Sequence, residues 1–214
     1  MKPFFITLEG TEGVGKTSNL AYIKQLLDAA KINYIVTREP GGTPLGEALR
    51  GLLLSNDYKG MSSDTELLLM FAARTEHVAQ VIRPALAKGQ WVLCDRFTDA
   101  TFAYQGGGRQ LDMHRIAGLE NWVLGDLKPD LTLLLDCPLE VGRARADTRS
   151  APDRFEQEKD AFFDRVRHVY LTRAKAEPNR IKVIDASVAL EKVQEQIEKV
   201  LKEVTQMNAN KKSK

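Results

Sequence analysis

Two patterns of hydrophobic and polar positions alternate along this chain. Short runs of apolar residues are separated by longer stretches whose apolar residues recur at helical spacing. Short apolar runs between helices are typical of strands that are buried on both faces of a parallel sheet. The runs predict strands at residues 4–8, 32–37, 91–95, 131–136 and 181–185. The pattern therefore predicts an α/β fold: a doubly wound, five-stranded parallel sheet flanked by helices.

The amphipathic stretches predict seven helices. They span residues 16–29, 44–54, 64–87, 112–124, 139–146, 157–175 and 189–204. Ser63 and Glu66 have the spacing of a capping box at the start of the third helix. From Met207 the helical spacing is lost, so we expect a single domain over residues 1–206 and a polar, lysine-rich tail over residues 207–214.

Composition and charge narrow the class of protein. The 214 residues are 43% hydrophobic and 28% charged, and three of the lysines behind the net charge of +2 lie in the last four residues. Because the body is nearly neutral, we expect no nucleic-acid partner. The longest apolar run, residues 67–73, is too short for a membrane helix, and residues 2–9 do not form a secretory signal. Cys94 and Cys137 have no CxxC spacing, which predicts a cytoplasmic protein without a disulfide framework or a zinc site.

A glycine-rich segment follows the first predicted strand and opens the first predicted helix. Its pattern is G-x-x-x-x-G-K-T, and the candidate phosphate-binding residues are Gly10, Thr11, Glu12, Gly13, Val14, Gly15, Lys16, Thr17 and Ser18. In such a loop, backbone N–H groups bind a phosphate chain at a helix N-terminus, where the helix dipole also favours an anion. Lys16 would reach the β- and γ-phosphates, and the Thr17 hydroxyl would bind Mg²⁺. A nucleotide site alone leaves switches, motors and kinases open.

Polar residues also follow the second and third predicted strands. Arg38 precedes two glycines at another predicted helix N-terminus and is a candidate for binding a second anion. Asp95 ends the third strand, which is the position expected for a carboxylate that faces magnesium near a phosphate loop, and Arg96 follows it directly. The alternative for Asp95 and Arg96 is a structural ion pair.

Two further segments carry side chains that suit a nucleobase. Thr101, Tyr104 and Gln105 combine hydroxyl, aromatic and amide groups in a stretch that ends in three glycines. Met70 and Arg74 share one face of the preceding helix, and Phe71 lies partly beside them. The alternative for most of residues 67–73 is ordinary core packing.

A run of arginines predicts a mobile segment over residues 143–156. It contains Arg143, Arg145, Arg149 and Arg154, with Ser-Ala-Pro at residues 150–152. Taken alone, such a run indicates a solvated helix face. Beside a phosphate loop, it indicates a lid that closes over the nucleotide and donates an arginine to the transition state.

These motifs together resemble the bacterial thymidylate kinases. The matching segments are residues 10–17, 38–43, 95–97, 103–109 and 153–156. The resemblance implies a P-loop kinase core with a lid, a homodimer, Mg²⁺, ATP as phosphate donor and dTMP as acceptor. Two alternatives are a kinase for another nucleoside monophosphate and a P-loop regulatory switch, although a switch would usually carry an Asn-Lys-x-Asp segment that this chain lacks.

The resemblance also implies roles for individual residues. Glu12 would lie near the sugar and phosphate of the acceptor, and Tyr104 would disfavour a ribose 2′-hydroxyl. The acceptor phosphate would be held by Arg38, Arg74 and Arg96, and the base would face Thr101 and Gln105.

Two assignments stay open at this point. Many relatives carry a phenylalanine where this chain has Met70, with Phe71 next, so either residue could cover the base. The phosphate loop contains no arginine, so the catalytic arginine is expected from the lid, with Arg149 the first candidate and Arg154 the second. Lys16, Asp95 and Arg96 complete the predicted catalytic set.

Overall fold

The computed structural model describes residues 2–146 and 153–210. Its strands are β1 (Phe5–Glu9), β2 (Tyr34–Arg38), β3 (Trp91–Asp95), β4 (Leu131–Asp136) and β5 (Ile181–Asp185). Its helices are α1 (Lys16–Ala29), α2 (Pro44–Leu54), α3 (Ser63–His77), α4 (Arg83–Ala87), α5 (Thr98–Thr101), α6 (Met113–Leu124), α7 (Leu139–Ala146), α8 (Asp160–Ala176) and α9 (Leu190–Asn210). A short 3-10 helix spans Asn56–Tyr58, and π-helical turns span Val78–Ile82 and Phe102–Gly108.

The five strands form one parallel sheet in the order β2-β3-β1-β4-β5. The predicted fold class is thus confirmed. Leu8 and Arg38 both pair in register with Asp95. The carboxyl ends of β1, β2 and β3 therefore meet at one edge of the sheet, where ligands of open α/β sheets bind.

The sheet is covered on both faces, which explains its continuous apolar strands. Every residue of β1 is buried. Ile6 and Leu8 pack with α1 and α9, whereas Phe5, which directly precedes Ile6 and points to the opposite face, packs with the segment from Val78 to Ala85 and with α6. Because successive side chains of a strand point to opposite faces, burial on both faces requires apolar residues at successive positions.

The long helix predicted over residues 64–87 is interrupted. Its middle forms a π-helical turn in which the Arg83 N–H bonds to Val78 O, directly before Pro84. Proline lacks an N–H group and its ring crowds the preceding turn, so a widened turn relieves the clash. The predicted capping box is also wrong: the Ser62 hydroxyl accepts the Thr65 N–H at 3.2 Å, and Glu66 is buried elsewhere.

The segment that ends in three glycines is helical. It forms α5 and the π-helical turn Phe102–Gly108. A Cβ atom on Gly108 would lie 2.4 Å from the Phe162 ring. The glycine therefore allows this segment to pack closely against α8, and a π-helical turn of this kind is common at functional sites.

The C-terminal helix is longer than the sequence pattern predicts. Helix α9 continues to Asn210, so residues 207–210 of the predicted tail have a helical backbone. Within the described residues, no helix is long and apolar enough to cross a membrane.

Candidate functional site

The glycine-rich segment forms a tight loop between β1 and α1. Gly13 and Gly15 have φ angles of 74° and 87°, in the left-handed region that favours glycine. A Cβ atom on Gly13 would lie 1.8 Å from Gly142 O, so the loop packs directly on the backbone of α7. Gly15 is the N-cap of α1 and forms no side-chain cap. The first N–H groups of α1 are thus available to an anion.

The Lys16 ammonium lies over this loop. It donates to Thr11 O at 2.8 Å and to Gly10 O at 3.2 Å. Burial, followed by the positive charge of Arg96, lowers the pKa of Lys16. A cation in this position would gain interaction energy from a bound phosphate, as the sequence predicts.

The predicted metal ligands also fit a magnesium ion. Asp95 Oδ1 is buried at the end of β3, and no residue that the structure describes hydrogen-bonds to it. Thr17 is exposed in the first turn of α1. The described residues contain no group of three or more His, Cys, Asp or Glu side chains that could hold a metal alone. One carboxylate and one hydroxyl suit Mg²⁺, which takes its other ligands from water and phosphate oxygens.

A pocket opens beside the phosphate loop at the same edge of the sheet. Its lining includes the predicted residues Glu12, Met70, Arg74, Arg96, Thr101, Tyr104 and Gln105. It also includes residues to which the sequence analysis gave no role, namely Glu39, Pro40, Arg50, Leu54, Phe97, Ala100, Asp153 and Phe155. The structure thus brings together most of the predicted acceptor site.

Arg38 and Phe71 do not line this pocket. The Arg38 guanidinium is half exposed and donates to Glu47 Oε2 at 2.8 Å. Phe71 is buried with Leu67 in the core. Of the two residues that could cover a base, only Met70 therefore faces the pocket.

Two arginines, Arg50 and Arg96, contribute positive charge to the pocket. Arg96 contacts the Glu12 carboxylate and lies 4.9 Å from the Tyr104 ring centroid. Burial, followed by the charges of Arg38 and Arg96, lowers the pKa of Arg50. Two positive charges that line one pocket favour a bound anion. Arg50 lies within α2 and belongs to no motif, so only its place in the folded chain indicates its role.

Arg74 lines the same pocket and contacts Thr101. It donates to Thr101 Oγ1 at 3.0 Å and to Glu39 Oε2 at 2.7 Å. Its Nη1 is buried and has no hydrogen-bond partner within residues 2–146 and 153–210. The resemblance implies phosphate binding by Arg74, but the structure places this guanidinium beside the predicted base-facing hydroxyl.

The two lid candidates have different outcomes. Arg149 lies outside the described residues. Arg154 is buried: its Nη1 lies 2.6 Å from Glu66 Oε2, and its Nε donates to Leu53 O at 3.0 Å. The Arg154 guanidinium is thus held in a buried ion pair and does not line the pocket, and its catalytic role stays a prediction.

Glu9 is a buried carboxyl group that the sequence analysis missed. It accepts the Phe97 N–H at 2.7 Å and the Tyr170 hydroxyl at 2.8 Å. Burial, followed by the charge of Asp99, raises the pKa of Glu9 to about 8. Glu9 thereby holds the backbone next to Arg96, whose φ angle of 68° is unusual for a side chain of this size.

We expect this carboxyl group to make stability fall with rising pH. The raised pKa means that Glu9 binds a proton more tightly in the folded chain than in the unfolded chain. The contribution of Glu9 to the free energy of unfolding is therefore lost as the pH rises through about 8. Relative to Glu9→Gln, the free energy of unfolding of the unmodified chain should fall by about 2–3 kcal/mol between about pH 6 and pH 8.5. Urea unfolding of both chains at the two pH values measures this difference. If the difference in unfolding free energy between the two chains did not change with pH, the raised pKa of Glu9 would be contradicted. Glu195→Gln, at an exposed position, serves as the control.

A phosphate loop after the first strand, with a second cationic pocket at the same sheet edge, defines a P-loop nucleotide kinase. The family model for thymidylate kinase matches residues 8–197. A thymidylate kinase from Pseudomonas syringae pv. tomato is 58% identical over 97% of this chain and 99% of its own length. One from Alcanivorax borkumensis is 56% identical over 94% and 96%. The chain belongs to the thymidylate kinase family.

A solved structure agrees with this assignment. The crystal structure of thymidylate kinase from Ehrlichia chaffeensis superposes with a TM-score of 0.77 at 35% sequence identity. The match covers 94% of this chain and 99% of that one. The family that the sequence motifs predict is therefore confirmed.

Proposed function

We propose that this protein transfers the γ-phosphate of ATP to dTMP, forming ADP and dTDP on the route to dTTP. The observation that carries the proposal is the pocket beside the phosphate loop. Its lining combines two arginines, Arg50 and Arg96, with Met70, Thr101 and Gln105. Such a pocket suits a phosphate and a pyrimidine.

The transfer requires positioning and positive charge rather than a base. The second pKa of a phosphate monoester is near 6, so at about pH 7 the acceptor is mostly a dianion and can attack directly. Lys16 and Arg96 reduce the repulsion between the two phosphate chains. Mg²⁺, held through Thr17 and Asp95, would neutralise further charge on the phosphates of ATP.

Other side chains of the pocket are proposed to select the pyrimidine. The buried Nη1 of Arg74, which has no partner among the described residues, would donate to a carbonyl oxygen of the base, and Met70 would cover one face of the ring. Tyr104 lies beside Arg96 and would crowd a ribose 2′-hydroxyl. The lid over residues 143–156 would bring Arg149 to the transferred phosphate.

A panel of acceptors tests this function. With ATP, we expect dTMP to give the highest kcat/KM among dTMP, dUMP, ribosyl TMP, CMP and GMP. The ratio of dTMP to dUMP should lie at roughly 10 to 200, the range for one methyl group in an apolar pocket. Coupled ADP release measures each rate. A higher value for CMP or GMP would replace the proposal with another nucleoside monophosphate kinase.

The protein is also proposed to form a homodimer through α3 and α6. Leu68 of α3 and Trp122 of α6 are exposed, and the ion pair of Asp64 with Arg115, at 2.9 Å, joins the same two helices. Exposed apolar residues on adjacent helices are typical of an interface. Sedimentation velocity should give a dimer for the unmodified chain and a monomer for Trp122→Glu. A monomer in both cases would contradict the proposal.

The proposed compartment is the cytoplasm. Cys94 and Cys137 are buried, unpaired thiols, which is the usual state of cysteines in a reducing compartment. Fractionation of cells that express the tagged chain tests this proposal, and recovery outside the cytoplasmic fraction would contradict it.

A further inference from the structure

We infer that Glu66, which does not line the pocket, determines pyrimidine selectivity by fixing the orientation of the Gln105 side-chain amide. The inference rests on the proposed function, because it concerns how that pocket reads its base. Glu66 is fully buried in the first half of α3, and Gln105 is buried in the π-helical turn that lines the pocket. Glu66 would act as a positioning residue.

The contacts of Glu66 identify it as an acceptor of hydrogen bonds. Its Oε1 receives the Gln105 amide Nε2 at 2.9 Å and Arg109 Nε at 3.2 Å. Its Oε2 lies 2.6 Å from Arg154 Nη1 and 3.2 Å from Arg109 Nη2. Two guanidinium groups thus compensate the buried negative charge. A carboxylate in this environment accepts hydrogen bonds and has none to donate.

This chemistry fixes which end of the amide faces the pocket. A side-chain amide has a donor end and an acceptor end, and only the donor end can bond to a carboxylate. With one Nε2–H bonded to Glu66, the carbonyl Oε1 is the acceptor that the Gln105 amide keeps for a ligand. A flipped amide would place Oε1 against Glu66, where two acceptors would repel each other.

The Gln105 carbonyl oxygen that is left for a ligand discriminates between pyrimidines. N3 of thymine carries a hydrogen and would donate to Gln105 Oε1, whereas N3 of cytosine is an acceptor and would meet the same oxygen without a hydrogen bond. A site built to bond one group rejects an analogue that lacks it, because a buried polar atom is then left unpaired. Glu66 would therefore favour thymine over cytosine without touching either base.

The test compares Glu66→Gln with the unmodified chain on dTMP and dCMP. An amide at position 66 can donate as well as accept, so Gln105 can present either end to the base. We expect the ratio of kcat/KM for dTMP to that for dCMP to fall at least tenfold. The loss should appear mainly as a higher KM for dTMP, with kcat changed less than about threefold. An unchanged ratio, with both substrates affected equally, would overturn the inference and leave Glu66 a purely structural residue.

Two further variants separate orientation from stability. Glu158→Gln removes the other carboxylate that contacts Arg109 but leaves Gln105 untouched, and it should not change the ratio. In a Gln105→Met background, Glu66→Gln should change the ratio no further, since the two residues would act through one amide. A further fall in that background would contradict the inference.

A third variant covers the case in which Glu66→Gln fails to fold. Glu66→Asp keeps the charge but withdraws the carboxylate from Gln105, so it should give an intermediate ratio, and an unchanged ratio would again overturn the inference. The acceptor panel keeps this outcome distinct from a failure of the proposed function: if the unmodified chain does not phosphorylate dTMP, the function fails. If it does and the ratio is insensitive to Glu66, only the present inference fails.

Discussion

Lys16→Ala should abolish phosphoryl transfer while the chain stays folded. The Lys16 ammonium bonds to two carbonyl groups of its own loop, so its removal leaves the hydrophobic core intact. It would, however, remove the cation nearest the transferred phosphate, and we expect turnover to fall roughly 10³-fold or more, from the loss of a preorganised charge at the reacting group. Coupled ADP release gives the rate, and circular dichroism with thermal melting checks the fold.

A lysine from the same helix provides the matched control. Lys24 lies two turns further along α1 and is exposed, so Lys24→Ala should leave turnover unchanged. If a well-folded Lys16→Ala protein kept turnover within about tenfold of the unmodified chain, the assignment of the phosphate loop to catalysis would fail.

Arg154→Ala should lower the stability of the chain, whereas Arg149→Ala should lower its turnover. Arg154→Ala would leave the buried Glu66 with Arg109 as its remaining guanidinium partner, and we expect the free energy of unfolding to fall by about 2–4 kcal/mol. Arg149→Ala should lower kcat roughly 10³-fold, the size of an arginine contribution to phosphoryl transfer. Urea unfolding and steady-state kinetics on both variants measure the two effects.

The predicted effect of Arg149→Ala on turnover can be checked separately. If Arg149 acts on the transition state, Arg149→Ala should lower kcat with little change in the dissociation constants of ATP and dTMP. Arg149→Lys should restore only part of the rate, because a point charge cannot replace a forked guanidinium. If neither Ala variant slowed turnover more than about tenfold, the lid would not supply the catalytic arginine, and Arg96 would become the leading candidate.

Local patterns determined the sheet and the phosphate loop. The bounds of β3, β4 and β5 match the prediction, and those of β1 and β2 differ by one or two residues. Strands buried on both faces and a glycine-rich loop depend on residues that are adjacent in the chain, so their signal survives in the sequence. The resemblance to thymidylate kinases predicted most residues of the acceptor pocket for the same reason, because its motifs are contiguous segments of the chain.

Contacts between distant segments decided the rest of the site. Arg50 and Glu9 have no motif, and their roles follow from neighbours that the fold supplies, Arg96 for the first and Tyr170 for the second. The helix over residues 98–108 was missed because its glycines indicate a loop locally, while their function is close packing against α8.

The same distinction between local pattern and tertiary contact applies to the arginines of this chain. By itself, the sequence determined that this chain has a five-stranded parallel sheet, a phosphate loop and several arginines suited to a nucleotide kinase. Only the tertiary structure decided that Arg96 faces the pocket, that Arg74 lies with Thr101, and that Arg154 is buried against Glu66. The physical reason is that a guanidinium takes its role from the carboxylates, rings and carbonyls around it, and those partners lie tens of residues away along the chain.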